Sequence, residues 1–232
     1  MNIIAYLKII LGDAAGITRA CGPLVAVRWL AFVMLAFPEC LRTRNLQPAD
    51  RRMGSGPFVV TRGSARAKLS GPQVFSGIRE IWIRDVYLRN DYLAVPRGGL
   101  VMDLGANLGN FVNLALAQHP DVRVIAVEPS LSLSNSLRAS VGNNGWIDRV
   151  VVKRAFVGTT TEVQARAAND PDYKGVPALT EGALLEEFDI KRIDFLKCDI
   201  EGSEFFLLAR ESRMLSIPKT WQSKFMPGVA RL

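Results

Sequence analysis

The sequence of 232 residues contains one histidine, His119, and three cysteines. A single histidine argues against a zinc site built on histidines and against a Ser-His-Asp hydrolase. Cys21, Cys40 and Cys198 are odd in number and widely spaced, so they predict neither a metal site nor a disulfide framework. This cysteine usage favours a reducing, cytoplasmic setting.

Long apolar runs are also missing. The most apolar stretch, residues 24–37, contains Arg28 and is 14 residues long, which is shorter than the roughly 20 residues that span a bilayer. It begins too late for a signal peptide, and no clear cleavage site follows it. We expect a helix packed on the domain, and a helix lying at a membrane surface is the alternative.

Acidic residues are scarce in the first part of the chain. Residues 1–98 contain 14 Lys/Arg against 6 Asp/Glu, whereas residues 99–232 contain 15 against 16. One acid, Asp50, accompanies a basic cluster made of Arg42, Arg44, Arg51, Arg52, Arg62, Arg66 and Lys68. No aromatic residues alternate with these bases, so we predict no nucleic-acid partner. We expect a solvated, partly ordered segment, with peripheral membrane contact through residues 1–68 as the alternative.

Helical and strand-like patterns divide the chain into two regions. Residues 1–41 predict one or two helices broken at Gly22-Pro23, residues 42–77 a loop or weakly structured linker, and residues 78–93 a helix. Strands are then predicted at 100–104, 122–127, 150–157 and 193–198, and helices at 111–118, 131–141, 180–188 and 203–214. This alternation predicts an α/β fold with a doubly wound, mostly parallel, Rossmann-like sheet. The predicted domains are a helical, basic N-terminal extension (1–77) and an α/β domain (78–232).

A glycine turn follows the first predicted strand of the α/β domain, in the segment Asp103-Leu104-Gly105-Ala106-Asn107-Leu108-Gly109. Ligands of open parallel sheets bind at the carboxyl ends of the strands. Gly105 permits an unusual backbone and a close ligand approach, and Gly109 lets the next helix begin against the turn. The G-x-x-x-G spacing, opened by an acid, differs from the G-x-G-x-x-G pattern that binds a pyrophosphate.

These features fit S-adenosylmethionine, which has an ammonium, a carboxylate, a sulfonium and a ribose but no phosphate. Asp103 can favour the ammonium, and backbone amides can bind the carboxylate. Glu128 ends the second strand, 19 residues after Gly109, where a carboxylate can accept hydrogen bonds from both ribose hydroxyls; a solvated acid is the alternative. Asn143 is placed near the adenine, or else in a turn. The predicted cofactor-binding residues are Asp103, Gly105, Ala106, Asn107, Gly109, Glu128 and Asn143.

A second motif, Asp194-Phe195-Leu196-Lys197-Cys198-Asp199-Ile200-Glu201-Gly202-Ser203-Glu204, spans the end of the fourth strand. Because that strand must be buried, we expect Lys197 to bind a neighbouring acid. Asp199 and Glu201 follow the strand next to the cofactor edge and are the candidate general bases. Glu204 is a third catalytic candidate, or else a favourable charge in the first turn of a helix. His119, at a predicted helix end, is interpreted as a helix-terminal charge.

Three blocks together resemble the FkbM family of methyltransferases: Val101 to Gly109, Ala126-Val127-Glu128-Pro129, and Asp194 to Glu204. Their order and spacing match over residues 78–213. The resemblance implies an S-adenosylmethionine-dependent enzyme that methylates hydroxyl groups on sugars, glycolipids or natural products. The expected partner is therefore a small-molecule or carbohydrate acceptor.

The last part of the sequence departs from this family, whose members continue into further strands. Residues 217–228 give no convincing strand, so we expect the strand at 193–198 to lie at a sheet edge or to need another partner. The chain is then expected to be marginally stable or to self-associate, with weak or no turnover. An inactive, cofactor-binding relative is the alternative. A nicotinamide-dependent reductase is a third, disfavoured by the missing G-x-G-x-x-G.

Overall fold

The computed structural model describes residues 3–88, 95–158, 169–200 and 221–223. The chain divides into two compact units, Met1–Val86 and Tyr87–Leu232. Residues 78–86, which the sequence assigned to the α/β domain, belong here to the N-terminal unit. Each unit is described by itself.

The N-terminal unit contains five helices, a strand pair and a π-helical turn within its described residues. The helices are α1 (Ile3–Cys21), α2 (Pro23–Leu35), α3 (Phe37–Thr43), α4 (Gln47–Arg52) and α5 (Val74–Gly77), the strands are β1 (Phe58–Arg62) and β2 (Ala65–Leu69), and the π-helical turn is Ile78–Ile83. The break at Gly22-Pro23 is confirmed, because Gly22 has φ 95° and Pro23 begins α2. The predicted helix over 78–93 is π-helical and ends at Ile83.

The loop predicted for residues 42–77 is wrong. Strands β1 and β2 pair antiparallel, from Phe58 opposite Leu69 to Arg62 opposite Ala65. Buried side chains alternate with exposed ones along both strands, so one face of the hairpin is buried. The exposed positions hold Arg66 and Lys68, and these bases made the segment resemble a polar linker.

Buried charges hold the N-terminal unit together. Asp50, expected among solvated bases, is fully buried and accepts hydrogen bonds from Arg79 Nη2 at 2.6 Å and Trp29 Nε1 at 2.9 Å. Arg79 Nη1 also donates to Asp13 Oδ2 at 3.0 Å, and Arg84 Nη2 donates to the same oxygen at 2.6 Å. Because two arginines and two aspartates are matched, no lone charge is buried in this cluster.

Among the described residues, no single helix is both long and apolar enough to cross a membrane. Helices α2 and α3 meet those criteria of length and composition only when taken together, and they are bent by 75° relative to each other.

Within its described residues the larger unit alternates strands and helices as predicted, whereas the helix predicted over 203–214 lies outside them. Its described elements are β3 (Leu100–Leu104), α6 (Asn110–Gln118), β4 (Arg123–Val127), α7 (Leu131–Gly142), β5 (Val150–Lys153), β6 (Phe156–Val157), β7 (Ala178–Leu179), α8 (Glu181–Glu187), β8 (Phe195–Cys198) and β9 (Trp221–Ser223). Ser130 caps α7 by accepting from the Leu133 amide, and Thr180 caps α8 by accepting from the Ala183 amide. The predicted strand over 150–157 is divided into β5 and β6.

Five of the described strands form the central parallel sheet, in the order β5-β4-β3-β8-β9. The chain moves outward from β3 to β5 and then returns to the other side of β3 at β8. The strand order therefore reverses between β3 and β8, and the crevice at their carboxyl ends is where such sheets bind ligands. This sheet confirms the predicted fold class.

Both faces of the sheet are covered. On one face, Met102 and Leu196 belong to a buried cluster that includes Leu184 and Leu185 of α8. On the other face, the ring centroids of Phe111 in α6 and Phe195 in β8 lie 5.4 Å apart. Because apolar residues face both ways, the strands have the near-continuous apolar sequence of a buried parallel sheet.

The expectation that no strand follows β8 is wrong. Strand β9 pairs parallel with β8, with Trp221 opposite Leu196 and Ser223 opposite Cys198. The outer side of β8 therefore has a backbone hydrogen-bonding partner. The described part of β9 is three residues long, which is too short to give a recognisable strand pattern in the sequence.

Candidate functional site

The glycine turn lies directly after β3, where Gly105 has φ 76°. A Cβ at this position would lie 1.9 Å from the carbonyl oxygen of Asp199. The turn and the end of β8 are therefore in backbone contact, and only glycine fits between them. This contact brings the first motif beside the second.

The backbone amides of the turn have partners within the chain. The amides of Gly105 and Ala106 both donate to the Val127 carbonyl at 3.0 Å, and that of Gly109 donates to the Ala106 carbonyl at 2.9 Å. The amide of Asn107 donates to Glu128 Oε2 at 2.8 Å, and that of Leu108 donates to Asn107 Oδ1 at 2.7 Å. The sequence suggested that backbone amides of this turn bind the cofactor's carboxylate. In the structure these amides are instead bonded within the chain.

Gly109 begins α6 with φ 77°. A Cβ here would lie 2.7 Å from Cγ of Leu137 in α7, so glycine allows these elements to approach closely. The predicted role of Gly109 at the helix start agrees with this packing. Asn107 also has a positive φ, 51°, which asparagine tolerates better than most residues.

Glu128 lies immediately after β4 and is 5% exposed. Its Oε2 accepts from the Asn107 amide, and its Oε1 accepts from the Ser130 amide at 3.0 Å. Burial raises the pKa of the Glu128 carboxyl, although these two amide bonds oppose the shift. A carboxylate oxygen can accept more than one hydrogen bond, so a carboxylate held in this orientation can still accept from a pair of hydroxyls.

The turn after Glu128 is held by two residues that the sequence did not single out. The Asp172 carboxylate accepts hydrogen bonds from the Ser130 hydroxyl and from the Ser132 amide. The Ser130 hydroxyl, more than any other group, holds the pKa of Asp172 below its ordinary value. Arg154 donates to the carbonyls of Pro129 and Asp172. No spacing signal in the sequence marks Asp172 or Arg154.

Asp103 forms a buried ion pair with Lys197 of the neighbouring strand. Lys197 Nζ lies 2.6 Å from Asp103 Oδ1 and 2.9 Å from the Gly105 carbonyl oxygen. The expectation that Lys197 binds a neighbouring acid is confirmed. Asp103 is fully buried, and burial raises the pKa of its carboxyl. The neighbouring Lys197 ammonium lowers that pKa and so opposes the shift. The carboxylate expected to favour the cofactor's ammonium thus has a partner within the protein.

Asp199 follows β8 and is half-buried beside the glycine turn. Its Oδ2 accepts a hydrogen bond from the Tyr87 hydroxyl at 2.6 Å. The centroid of the Tyr87 ring lies 5.4 Å from Lys197 Nζ, so the Tyr87 side chain contacts Asp199 through its hydroxyl and Lys197 through its ring. Nothing in the sequence marks Tyr87 as part of this site, because it precedes Asp199 by 112 residues and belongs to no motif.

The structure does not bring every predicted residue to this edge. Asn143 follows α7, which runs from the carboxyl end of β4 back to the start of β5, so it lies at the opposite edge of the sheet. His119 follows α6 at that same opposite edge, and its carbonyl accepts from Arg149. Glu201 and Glu204 lie outside the described residues, and their catalytic roles stay predictions.

The charges at this edge suit a cationic cofactor. This edge contains three carboxylates, those of Asp103, Glu128 and Asp199, and one ammonium, that of Lys197, which is already paired with Asp103. A pyrophosphate would meet repulsion from these carboxylates, whereas a sulfonium and an ammonium would meet attraction. The residues present therefore fit S-adenosylmethionine better than a dinucleotide.

A reversal of strand order beside a glycine turn and a strand-end acid defines a Rossmann-like cofactor-binding domain. The sequence profile of the family described as Methyltransferase FkbM domain matches residues 103–226, more than half of the chain. The protein therefore belongs to this family of methyltransferase domains.

Individual relatives match over limited parts of the chain. A segment of 64 residues is 36% identical to the AMB antimetabolite synthetase AmbE of Pseudomonas aeruginosa, and it covers 28% of this chain and 3% of that protein. A SAM-dependent O-methyltransferase from Thermotoga maritima is 18% identical, covering 65% of this chain and 50% of that one, with a TM-score of 0.35.

Aeropyrum pernix fibrillarin in complex with natively bound S-adenosyl-L-methionine is 16% identical, covering 47% of this chain and 36% of that one, with a TM-score of 0.29. These solved structures are similar to parts of the chain only. The strand order and register described above carry the assignment of the fold.

Proposed function

We propose that this methyltransferase transfers a methyl group to a hydroxyl oxygen of a small-molecule or carbohydrate acceptor, such as a sugar, a glycolipid or a natural product. The observation that supports the proposal is the position of Asp199. This carboxylate is half-buried at the carboxyl end of β8, beside the glycine turn. A carboxylate at that edge can take the proton of an attacking hydroxyl.

Each residue of the site has a separate task in this proposal. Bound S-adenosylmethionine would supply a methyl group on a sulfonium, whose carbon–sulfur bond breaks so that the rest of the cofactor leaves as a neutral thioether. Glu128 binds the ribose hydroxyls, held in place by two backbone amides. Asp199 removes the acceptor's proton as the new oxygen–carbon bond forms, and the Tyr87 hydroxyl holds the orientation of that carboxylate. Holding the reacting groups in line supplies much of the rate enhancement.

The test is Asp199→Asn, which keeps the shape of the side chain and its capacity to accept from Tyr87. Transfer of labelled methyl into a panel of sugars and lipids should fall by about 10²–10⁴-fold. The dissociation constant for S-adenosylmethionine, measured by calorimetry, should change far less than the turnover does. Asp189→Asn is the matched control, because the Asp189 side chain is 86% exposed.

Two outcomes would contradict the assignment. Equal losses of cofactor binding and turnover would place Asp199 in the cofactor site rather than at the acceptor. Full activity in the variant would remove Asp199 from the mechanism. A wild-type chain that binds the cofactor but methylates no acceptor in the panel would instead favour an inactive, cofactor-binding protein.

A further inference from the structure

Helix α2 presents an apolar face to solvent. Leu24, Val27 and Met34 are 85%, 65% and 77% exposed, and Leu35 is 72% exposed. Together with the exposed Ala31, they recur at intervals of three and four residues, which places them on one side of the helix. We call these five residues the outer face of α2. Exposed aliphatic side chains that form one continuous stripe mark a surface for association.

The opposite side of α2 is bound to its own unit. Ala26, Trp29 and Val33 are buried. Trp29 Nε1 donates to Asp50 Oδ1 at 2.9 Å, and Asp50 is itself bound to Arg79. Removing α2 from the unit would leave this buried carboxylate with fewer donors. The helix is therefore suited to lie along a surface with one side in contact, and not to pass through a bilayer.

The net charge of the N-terminal unit indicates the charge of the surface that it can bind. Residues 1–86 contain twelve Lys/Arg and five Asp/Glu, a net charge of +7 that equals the net charge of the whole chain. Four of the five acids, Asp13, Glu39, Asp50 and Asp85, are bound by arginines. The solvent around this unit therefore sees mainly positive charge, which an anionic surface complements.

Basic side chains lie at and just beyond the outer face. Arg28 is exposed within α2, with its guanidinium carbon 5.5 Å from the centroid of the Phe32 ring, and its Nη2 donates to the Met53 carbonyl at 3.1 Å. Arg42 and Arg44 are exposed at the end of α3. An apolar helix face flanked by arginines, with no acidic residue in the helix itself, matches the chemistry of a helix lying in the headgroup region of an anionic leaflet.

We infer that the outer face of α2 binds the surface of a membrane containing anionic lipid. Leu24, Val27, Met34 and Leu35 enter the boundary between headgroups and acyl chains, and the arginines of α2 and α3 contact lipid phosphates. This attachment is independent of methyl transfer, so it can be tested whether or not an acceptor is known.

The experiment measures co-sedimentation of the full chain with phosphatidylcholine vesicles, with and without phosphatidylserine. We expect binding to the vesicles that contain phosphatidylserine and weaker binding at high salt, because salt screens the attraction between exposed arginines and lipid. The double variant Leu24→Ser/Met34→Ser should bind at least about tenfold more weakly, since it removes two large apolar contacts. Arg42→Gln/Arg44→Gln should reduce the preference for phosphatidylserine.

Val59→Ser is the matched control, because Val59 is an aliphatic residue that is 47% exposed on β1 and does not belong to the outer face of α2; this variant should bind vesicles as the wild type does. Val27→Thr keeps the side-chain shape and should weaken binding by a smaller factor, so it tests the same face if the double variant does not fold. The inference is overturned if wild type and outer-face variants bind vesicles equally, or if wild type does not bind. It is also overturned if the double variant only converts a self-associating chain into a monomer, which would make the face a contact between copies.

Discussion

The Asp103–Lys197 pair makes a quantitative prediction for the variant Lys197→Met. Lys197 and Asp103 are 3% and 0% exposed, and the lysine also donates to the Gly105 carbonyl. Methionine fills a similar volume but leaves both acceptors without their donor. Among the described residues, Asp103 Oδ2 has no hydrogen-bond partner even in the wild type, so the variant would leave the whole carboxylate uncompensated.

The magnitude follows from what Asp103 can do in response. Removing one partner of a buried ion pair lowers the free energy of unfolding by about 3–5 kcal/mol. Protonation limits that cost, because neutralising an aspartate with an unfolded-state pKa near ~3.9 at pH 7 takes about 4 kcal/mol. We expect a loss of about 3–4 kcal/mol at pH 7, which is a large part of the roughly 5–15 kcal/mol that stabilises a typical domain.

The loss of stability in Lys197→Met should also depend on pH. In the variant, the folded-state pKa of Asp103 lies above its unfolded value, so folding takes up a proton and stability falls as pH rises between the two values. Because the pKa of Asp103 is also raised in the wild type, the loss should shrink between the folded-state pKa values of variant and wild type, by up to about 1.4 kcal/mol for each unit of acidification.

Urea unfolding at pH 7 and pH 5, with hydrogen exchange of the β3 and β8 amides to identify the unit that unfolds, measures this effect. The double variant Asp103→Asn/Lys197→Met should recover most of the loss, because no charge remains buried. A loss below about 1 kcal/mol at pH 7, or one that does not change with pH, would refute the reasoning.

Three further variants test the site. Gly105→Ala should abolish cofactor binding or destabilise the protein by more than about 2 kcal/mol, because its Cβ would lie 1.9 Å from the Asp199 carbonyl oxygen; a wild-type affinity and melting temperature would contradict this. Tyr87→Phe should lower kcat about tenfold with an unchanged cofactor dissociation constant, since one hydrogen bond to a charged group is lost; an unchanged kcat would remove Tyr87 as a positioning residue. Glu128→Ala should weaken S-adenosylmethionine binding by about 1.5–3 kcal/mol. Wild-type binding should itself fall on acidification at a pH above the ordinary glutamate range, because the pKa of Glu128 is raised, and a pH-independent calorimetric affinity would argue against the ribose assignment.

The larger unit could be predicted from the sequence because its signals are local. The glycine turn and the strand-end Glu128 each follow from neighbouring residues, and the structure places both at the carboxyl ends of their strands. The Lys197 partner could also be predicted, since a buried lysine requires a nearby acid.

Other features depend on contacts that no local pattern contains. Tyr87 reaches Asp199 only through the tertiary fold. In the N-terminal unit, Arg66 and Lys68 occupy the solvent-facing positions of β2. Their charges are typical of a polar linker, and the small buried residues Ala65 and Ala67 give only a weak strand pattern. The hydrogen bonds of the turn amides depend on positive φ values at Gly105 and Asn107. Glycine and asparagine permit such φ values, but their presence in a sequence does not predict them.

The internal hydrogen bonds of the glycine turn affect the thermodynamics of cofactor binding. Because the amides from Gly105 to Gly109 are bonded within the chain, the turn is ordered without help from a ligand. Binding then loses little backbone conformational entropy at this segment, and the interaction energy is not reduced by the cost of folding a loop. Such a preorganised turn would give fast association and an affinity set mainly by contacts such as those of Glu128, with little contribution from induced closure.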